Sequence, residues 1–381
     1  MTAGVRPRVV VSGYYGFGNA GDEAILATLV QELGTWADLT VLSADPAATA
    51  RDHGVAAVPR TDLRHIWLAI RGAALFISGG GGLMQDVTGV GSVPYYGGLL
   101  RLARLAGTPA MTLGIGLGPL NHLASRALAG WALGSCAALV VRDAGSVALM
   151  KALGLPADRI HLTADPVLAL RPASADRTRA ILADAGIEPD GPPIVAVALR
   201  QWPQWYERRF KSLSATLGQL AARTGARLLV LPFQHPEDLW ISREFALCAE
   251  TRPEGHRPGV TVLEHPCTPA ELMGIVGHCD MVVGMRLHAL IMAAATGVPF
   301  FGLAYDEKVR QHCARWEAPM AQELGDLDDF EAFGKRIEAL WAQRGDLAED
   351  LRARRPAEVD AALRNFSLAR GVAGLAAEVH P

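Results

Sequence analysis

Residues 281–303 read MVVGMRLHALIMAAATGVPFFGL. A short apolar run at 281–284, a charged junction, a longer apolar run at 287–296 and a second short run at 299–303 follow one another. The short runs have the length of buried strands, and the stretch between them, apolar on nearly every side, reads as a buried helix. Strand, helix and strand in close succession make a parallel crossover unit, so the fold class is α/β. In such sheets ligands lie beyond the carboxyl ends of the strands. Arg286 and His288 stand there, where strand gives way to helix. A helix N-terminus with free amides, an arginine fork and an imidazole form an anion site with a proton source attached. A helix cap with a core histidine is the structural alternative.

The same alternation runs through the chain. In the first half, strands are expected at 8–13, 39–43, 74–78, 110–115 and 137–141, with helices such as 22–33 and 143–153. The pattern restarts with strands at 193–199, 227–231, 260–263, 281–284 and 299–303 and with helices at 205–222 and 287–296. A length of 381 residues suits two domains. The expected division is an N-terminal Rossmann-like domain at 1–170, a Pro-containing hinge at 171–192 and a C-terminal Rossmann-like domain at 193–345. A helical segment at 346–381 could then pack back across the hinge. The architecture is two doubly wound domains facing each other across a cleft.

Composition narrows the partners. A net charge of -3 argues against the broad basic face that nucleic acid requires. Five dispersed cysteines without a Cys-x-x-Cys pair suit a reducing compartment, and Cys267, His278 and Cys279 match no zinc-finger spacing, so no metal is expected. No signal-peptide core follows residues 1–8, and the uncharged run 127–141 is shorter than the ~18–20 apolar residues of a bilayer crossing. That run reads as a buried helix leading into a strand. The expected location is cytoplasmic, with peripheral contact at the cytoplasmic membrane face left open. Oligomeric state is invisible in the sequence.

Other segments pass the carboxyl-edge filter. Gly16, Gly18 and Gly21 form a literal G-x-G-x-x-G, with Asp45 past the next strand. Tyr14 and Tyr15 lengthen the loop before it, and Asp22 and Glu23 occupy the helix N-terminus, where carboxylates repel a pyrophosphate. Nucleotide binding is therefore not expected, and Asn19, Asp22 and Glu23 suit contacts to sugar hydroxyls. The glycines of 79–82, Gly80 and Gly81 among them, bring backbone amides close to a ligand or simply permit a crowded loop. Asp86 follows them, and 114–119 is a further Gly-rich turn. Arg200 ends a buried strand and needs an anionic partner, either a protein carboxylate or a ligand. His235, in the stretch 232–238, closes the next strand, and Lys308 after the last one adds a second cation.

Taken together, the turn Gly16-Phe17-Gly18-Asn19-Ala20-Gly21-Asp22-Glu23, the 79–82 loop and the segment Met285-Arg286-Leu287-His288 resemble the polysaccharide pyruvyltransferases. The nearest likeness is to the branch that pyruvylates cell-wall polymers for S-layer anchoring. The resemblance runs from about residue 8 to 320. It implies a GT-B-like fold, phosphoenolpyruvate as co-substrate with no cofactor, and a cyclic ketal formed across two hydroxyls of a sugar such as an N-acetylhexosamine. It also implies donor contacts from Arg286 and Arg200 and acceptor contacts from Asn19, Asp22 and Asp86; beside them, Leu287 and Lys308 are expected on the donor side and Glu23 on the acceptor side. The loop glycines Gly18, Gly21, Gly80 and Gly81 fall in the matched motifs. His288 would be the general acid, and Asp22 or Glu23 would orient or deprotonate the acceptor; whether the acceptor is lipid-linked stays open. The donor's charge agrees: phosphate and carboxylate on three carbons call for several cations, and a dianion beside His288 favours its protonated form. A nucleotide-sugar glycosyltransferase of the same fold and a non-catalytic sugar-binding protein are the competing readings.

Overall fold

The computed structural model describes residues 6–87, 89, 91–250 and 259–375. The chain divides into two compact units, Met1–Leu170 with Ala357–Pro381, and Arg171–Pro356.

The first unit is built on a seven-stranded parallel sheet. Its strands are β1 (Arg8–Ser12), β2 (Asp38–Ser43), β3 (Ala56–Pro59), β4 (Leu75–Met84), β5 (Ala110–Leu117), β6 (Ala138–Val141) and β7 (Ile160–Leu162). The helices are α1 (Ala20–Leu33), α2 (Pro46–His53), α3 (Leu63–Ile70), α4 (Ser92–Leu105), α5 (Leu123–Leu133) and α6 (Ala144–Ala152). The order β3-β2-β1-β4-β5-β6-β7 reverses direction between β1 and β4, which is the switch point where such sheets open a ligand crevice. Central strands are apolar on both faces because helices cover both, as at Val9, Val10 and Val11.

The second unit begins with α7 (Ala175–Asp184) and carries a six-stranded sheet. In chain order follow β8 (Ile194–Ala198), α8 (Glu207–Thr224), β9 (Arg227–Val230), α9 (Leu239–Glu250), β10 (Val260–Val262), α10 (Pro269–Gly277), β11 (Met281–Gly284), α11 (Leu287–Thr296), β12 (Phe300–Leu303), α12 (Glu307–Trp316), β13 (Met320–Ala321) and α13 (Phe330–Ala342). The order β10-β9-β8-β11-β12-β13 switches between β8 and β11. The last helix, α14 (Arg344–Val372), belongs to the second unit up to Pro356 and to the first from Ala357.

Each unit is therefore a Rossmann-like α/β domain. Three differences from the sequence reading have physical causes. The strand at 74–78 does not stop at the glycines: β4 runs through them to Met84, its register shifting against β5 between Gly81 and Met84. The stretch read as a hinge contains α7, which buries Thr178, Ile181 and Leu182 and packs on α10. The edge strands β3, β7 and β13 are short and only partly buried, so they lack the continuous apolar run that marks a central strand. The run 127–141 is the end of α5 leading into β6. Among the described residues no helix is long and apolar enough to cross a membrane.

Candidate functional site

At the carboxyl edge of the second sheet, β11 lies between β8 and β12, with Gly284 beside Ala198 on one side and Gly302 on the other. The backbone N–H groups of Met285 and Arg286 both donate to the Ala198 carbonyl, at 2.9 and 3.4 Å. This fastens the strand-to-helix turn and sends the Arg286 side chain toward the β9 loop. There its fork closes on Asp238: Nε donates to Oδ2 at 2.8 Å and Nη2 to Oδ1, while Gln234 Oε1 accepts from Nη2 at 3.2 Å. Asp238 is 1% exposed and also accepts the N–H groups of Phe233 and Gln234 at 3.1 and 3.0 Å. The arginine fork that the sequence left open for a ligand is thus occupied by a protein carboxylate. The members of this pair lie 48 residues apart, and no spacing rule joins them. Only the position of Asp238 in a polar loop just past a strand pointed toward it.

Arg200 is held differently. Its Nη1 donates to the Tyr305 hydroxyl at 3.0 Å, and its guanidinium carbon lies 5.2 Å from the ring centres of both Trp202 and Tyr305. Those rings meet edge-on at 4.7 Å, and Trp205 Nε1 donates to the Arg200 carbonyl at 2.9 Å. Of the two partners considered for Arg200, no carboxylate among the described residues pairs with it, and its Nε is buried without a hydrogen bond. Lys308, in the first turn of α12, has its Nζ 3.7 Å from Asp306. Leu287 and His288 form the half-buried first turn of α11, which no side chain caps. His235 sits on the β9 loop, its pKa pushed down by burial against the opposing pull of Asp238 and Glu237. A cation without a carboxylate, an uncapped helix start and an imidazole thus share this sheet edge, an arrangement suited to an oxyanion.

In the first unit, several sequence candidates have structural partners. Asn19 caps α1, its Oδ1 accepting from the N–H groups of Gly21 and Asp22 at 3.0 and 3.5 Å. Glu23 Oε1 accepts the Gly16 N–H at 2.8 Å and Oε2 lies 3.2 Å from His53 Nε2, so this carboxylate braces the loop. Gly18 turns that loop at φ 69°, and Gly21 is buried in the first turn of α1. Asp86 is buried and accepts from the N–H groups of Asn121 and His122, each at 2.8 Å, which holds its pKa below the usual carboxylate value. Gly80 and Gly81 let β4 approach α1: a Cβ on Gly80 would lie 2.1 Å from Ile25 Cγ2, and one on Gly81 2.8 Å from Asp22 Oδ1. Of the two readings of this loop, the structure displays the crowded one. Asp22 lies against Gly81 at the switch point of the first sheet. Among the described residues no group of His, Cys, Asp and Glu is placed to hold a metal ion.

Solved structures similar to the chain share its architecture at low identity. A candidate UDP-N-acetylglucosamine 2-epimerase from Listeria monocytogenes matches at TM-score 0.66 and 10% identity, over 98% of each chain. MnaA of S. aureus, solved with UDP, matches at TM-score 0.65 and 11% identity over 98% of each chain. Anabaena Alr3699/HepE, solved with UDP-glucose, matches at TM-score 0.64 and 11% identity, covering 97% of this chain and all of that one. At such identities the likeness speaks for the GT-B-like fold of two Rossmann-like domains and for nothing finer. No curated protein matches the sequence. The model of one family spans residues 19–307, from the cap of α1 to the start of α12, and so takes in the end of the Gly-rich turn, the 79–82 loop and the 285–288 segment. The chain is a transferase of the polysaccharide pyruvyl transferase family.

Proposed function

We propose that the protein transfers the pyruvyl unit of phosphoenolpyruvate to two hydroxyls of a cell-surface saccharide, an N-acetylhexosamine such as N-acetylmannosamine, forming a cyclic ketal. The observation that carries the donor assignment is Arg200, a half-buried guanidinium that pairs with no carboxylate among the described residues, near the uncapped start of α11. Arg200 binds the donor's anionic groups, with Lys308 as a second cation and the Leu287 amide at the helix start. Arg286 is fixed by Asp238 and offers the ligand only its remaining Nη1. Its part is mainly to set the turn that carries His288.

In the reaction, His288 gives its proton to the methylene carbon, which becomes the methyl group. The first acceptor hydroxyl adds to C2 and its proton returns the imidazole to its starting state. The C2–O bond to phosphate then breaks, the second hydroxyl closes the ring, and its proton leaves with the phosphate. Acceptor contacts are assigned to the first unit. Asp22, which lies against Gly81 at the switch point of the first sheet, is the carboxylate assigned to orient or deprotonate the acceptor there. The protein needs no cofactor for these steps.

The test is phosphate release from phosphoenolpyruvate against a panel of N-acetylhexosamines, with NMR of the product. A general acid contributes roughly 100- to 10,000-fold, so His288→Ala should lose that much kcat. Arg200→Met should raise the KM for phosphoenolpyruvate more than it lowers kcat. Binding of UDP rather than phosphoenolpyruvate by the wild-type protein would move the reading to nucleotide-sugar transfer.

A further inference from the structure

The first unit contains another arginine that no carboxylate among the described residues pairs with. Arg60 follows β3, and its guanidinium carbon lies 4.4 Å from the ring centre of Tyr95, 5.0 Å from Phe17 and 5.8 Å from Tyr96. Tyr95 and Tyr96 come from the start of α4 and meet edge-on at 4.9 Å. Phe17 belongs to the Gly-rich turn and stacks flat on Tyr14 at 4.0 Å, with both rings exposed. Arg60 forms no ion pair with the described residues; its side chain bears on the Tyr95 and Tyr96 phenols, and its Nη1 is buried without a hydrogen-bond partner.

Three hydroxyls nearby are in the same condition: Ser12 Oγ, Ser78 Oγ and Tyr96 Oη are buried and unpartnered. Ser12 and Ser78 are neighbours across β1 and β4. Two residues earlier on the same faces, Val10 and Phe76 share an apolar cluster with Tyr96. The sheet surface beneath α4 therefore changes from apolar to hydroxylic at its carboxyl edge, at the switch point between β1 and β4. Ser12 and Arg60 both act on the Tyr95 phenol, opposing the upward push of burial on its pKa.

A buried guanidinium edge and three orphan hydroxyls in one region are more than packing requires, because buried polar groups are nearly always partnered. Aromatic rings over a guanidinium cover its flat faces and leave its N–H groups aimed in the plane, the geometry that receives two oxygens at once. We propose that Arg60, with Ser12, Ser78 and Tyr96, forms an oxyanion subsite for a carboxylate or phosphate group carried by the saccharide acceptor. The proposal rests on the assignment of the acceptor to the first unit.

Calorimetric titration of the whole chain with N-acetylglucosamine, its 1-phosphate and glucuronic acid tests it. One of the anionic probes should bind about tenfold or more tightly than the neutral sugar, a typical gain for a charge-assisted pair. Which of them does so tells phosphate from carboxylate. Arg60→Met should erase the difference while leaving phosphoenolpyruvate affinity unchanged, which also reports that the variant is folded. Arg60→Lys, which keeps charge without the fork, should retain part of it. Tyr96→Phe, a smaller change, should weaken only the anionic probe. Equal binding of charged and neutral probes by the wild type, or a preference that survives Arg60→Met, overturns the subsite. Failure of phosphoenolpyruvate to bind the wild type would instead remove the donor reading and leave the Arg60 result standing.

Discussion

Arg200 and Arg286 each sit two residues beyond adjacent strands of the second sheet, and their neighbours treat them oppositely. Arg286 faces Asp238, itself 1% exposed, so removing the cation strands a buried carboxylate. Arg286→Ala should lower the unfolding free energy by about 3–5 kcal/mol, as expected when one half of a buried pair is deleted. Replacing both members, Arg286→Met with Asp238→Leu, should recover much of the loss in a denaturant titration, with activity still impaired. If the single variant is as stable as wild type, the pair has no structural role. Asp86 follows the same logic through hydrogen bonds alone. Its folded pKa is depressed by the N–H groups of Asn121 and His122, so its stabilisation is complete above the unfolded aspartate value near ~4 and is lost as pH falls through the lower folded value. Asp86→Asn should reduce Tm at pH 7, and the gap to wild type should close in acid. A gap independent of pH would count against the ionised form.

Among the elements, β4 teaches most. Its glycines φ 65° at Gly80 and φ 72° at Gly81 mark backbone that side-chain-bearing residues avoid, and Ile25 occupies the space a Cβ would need. Gly80→Ala should therefore cost roughly 1–3 kcal/mol from strain and clash together. Gly54→Ala is the control: it has the same φ of 65° with nothing within 4 Å, so it carries the strain alone. Equal losses in thermal melts would mean that α1 does not press on β4. The elements also show what a sequence can disclose. β11 and α11 were legible to the residue, because each is a continuous apolar run bounded by a charge or a glycine. β4 was not, since glycine has low strand propensity and the close approach of α1 is a tertiary fact. In the candidate site, the placement of Arg200 and His288 just beyond strand ends was legible. The capture of Arg286 by Asp238, and the bracing roles of Asn19, Glu23 and Asp86, depend on side chains meeting across loops, for which spacing gives no rule.

For the molecule as a whole, the chain path matters as much as either sheet. Asn365 lies in the part of α14 that belongs to the first unit and is fully buried. Its Oδ1 accepts from the Thr163 hydroxyl and its Nδ2 donates to the Ala164 carbonyl, each at 2.9 Å. Asn365→Ala should lower the stability of the first unit by about 1–3 kcal/mol, the cost of leaving buried polar groups unmatched. Hydrogen exchange should show the loss in β5 to β7 and spare β8 to β12; a uniform change across both sheets would contradict it.

The path of α14 also sets a calendar for biosynthesis. Chains leave the ribosome from the N-terminus, and domains ordinarily fold as they emerge. Here the Thr163 hydroxyl meets Asn365, made 202 residues later, only after the second unit, contiguous from Arg171 to Pro356, is complete. The half of the enzyme that is translated first is thus the half that is finished last, and until α14 arrives the nascent chain carries an unsealed sheet.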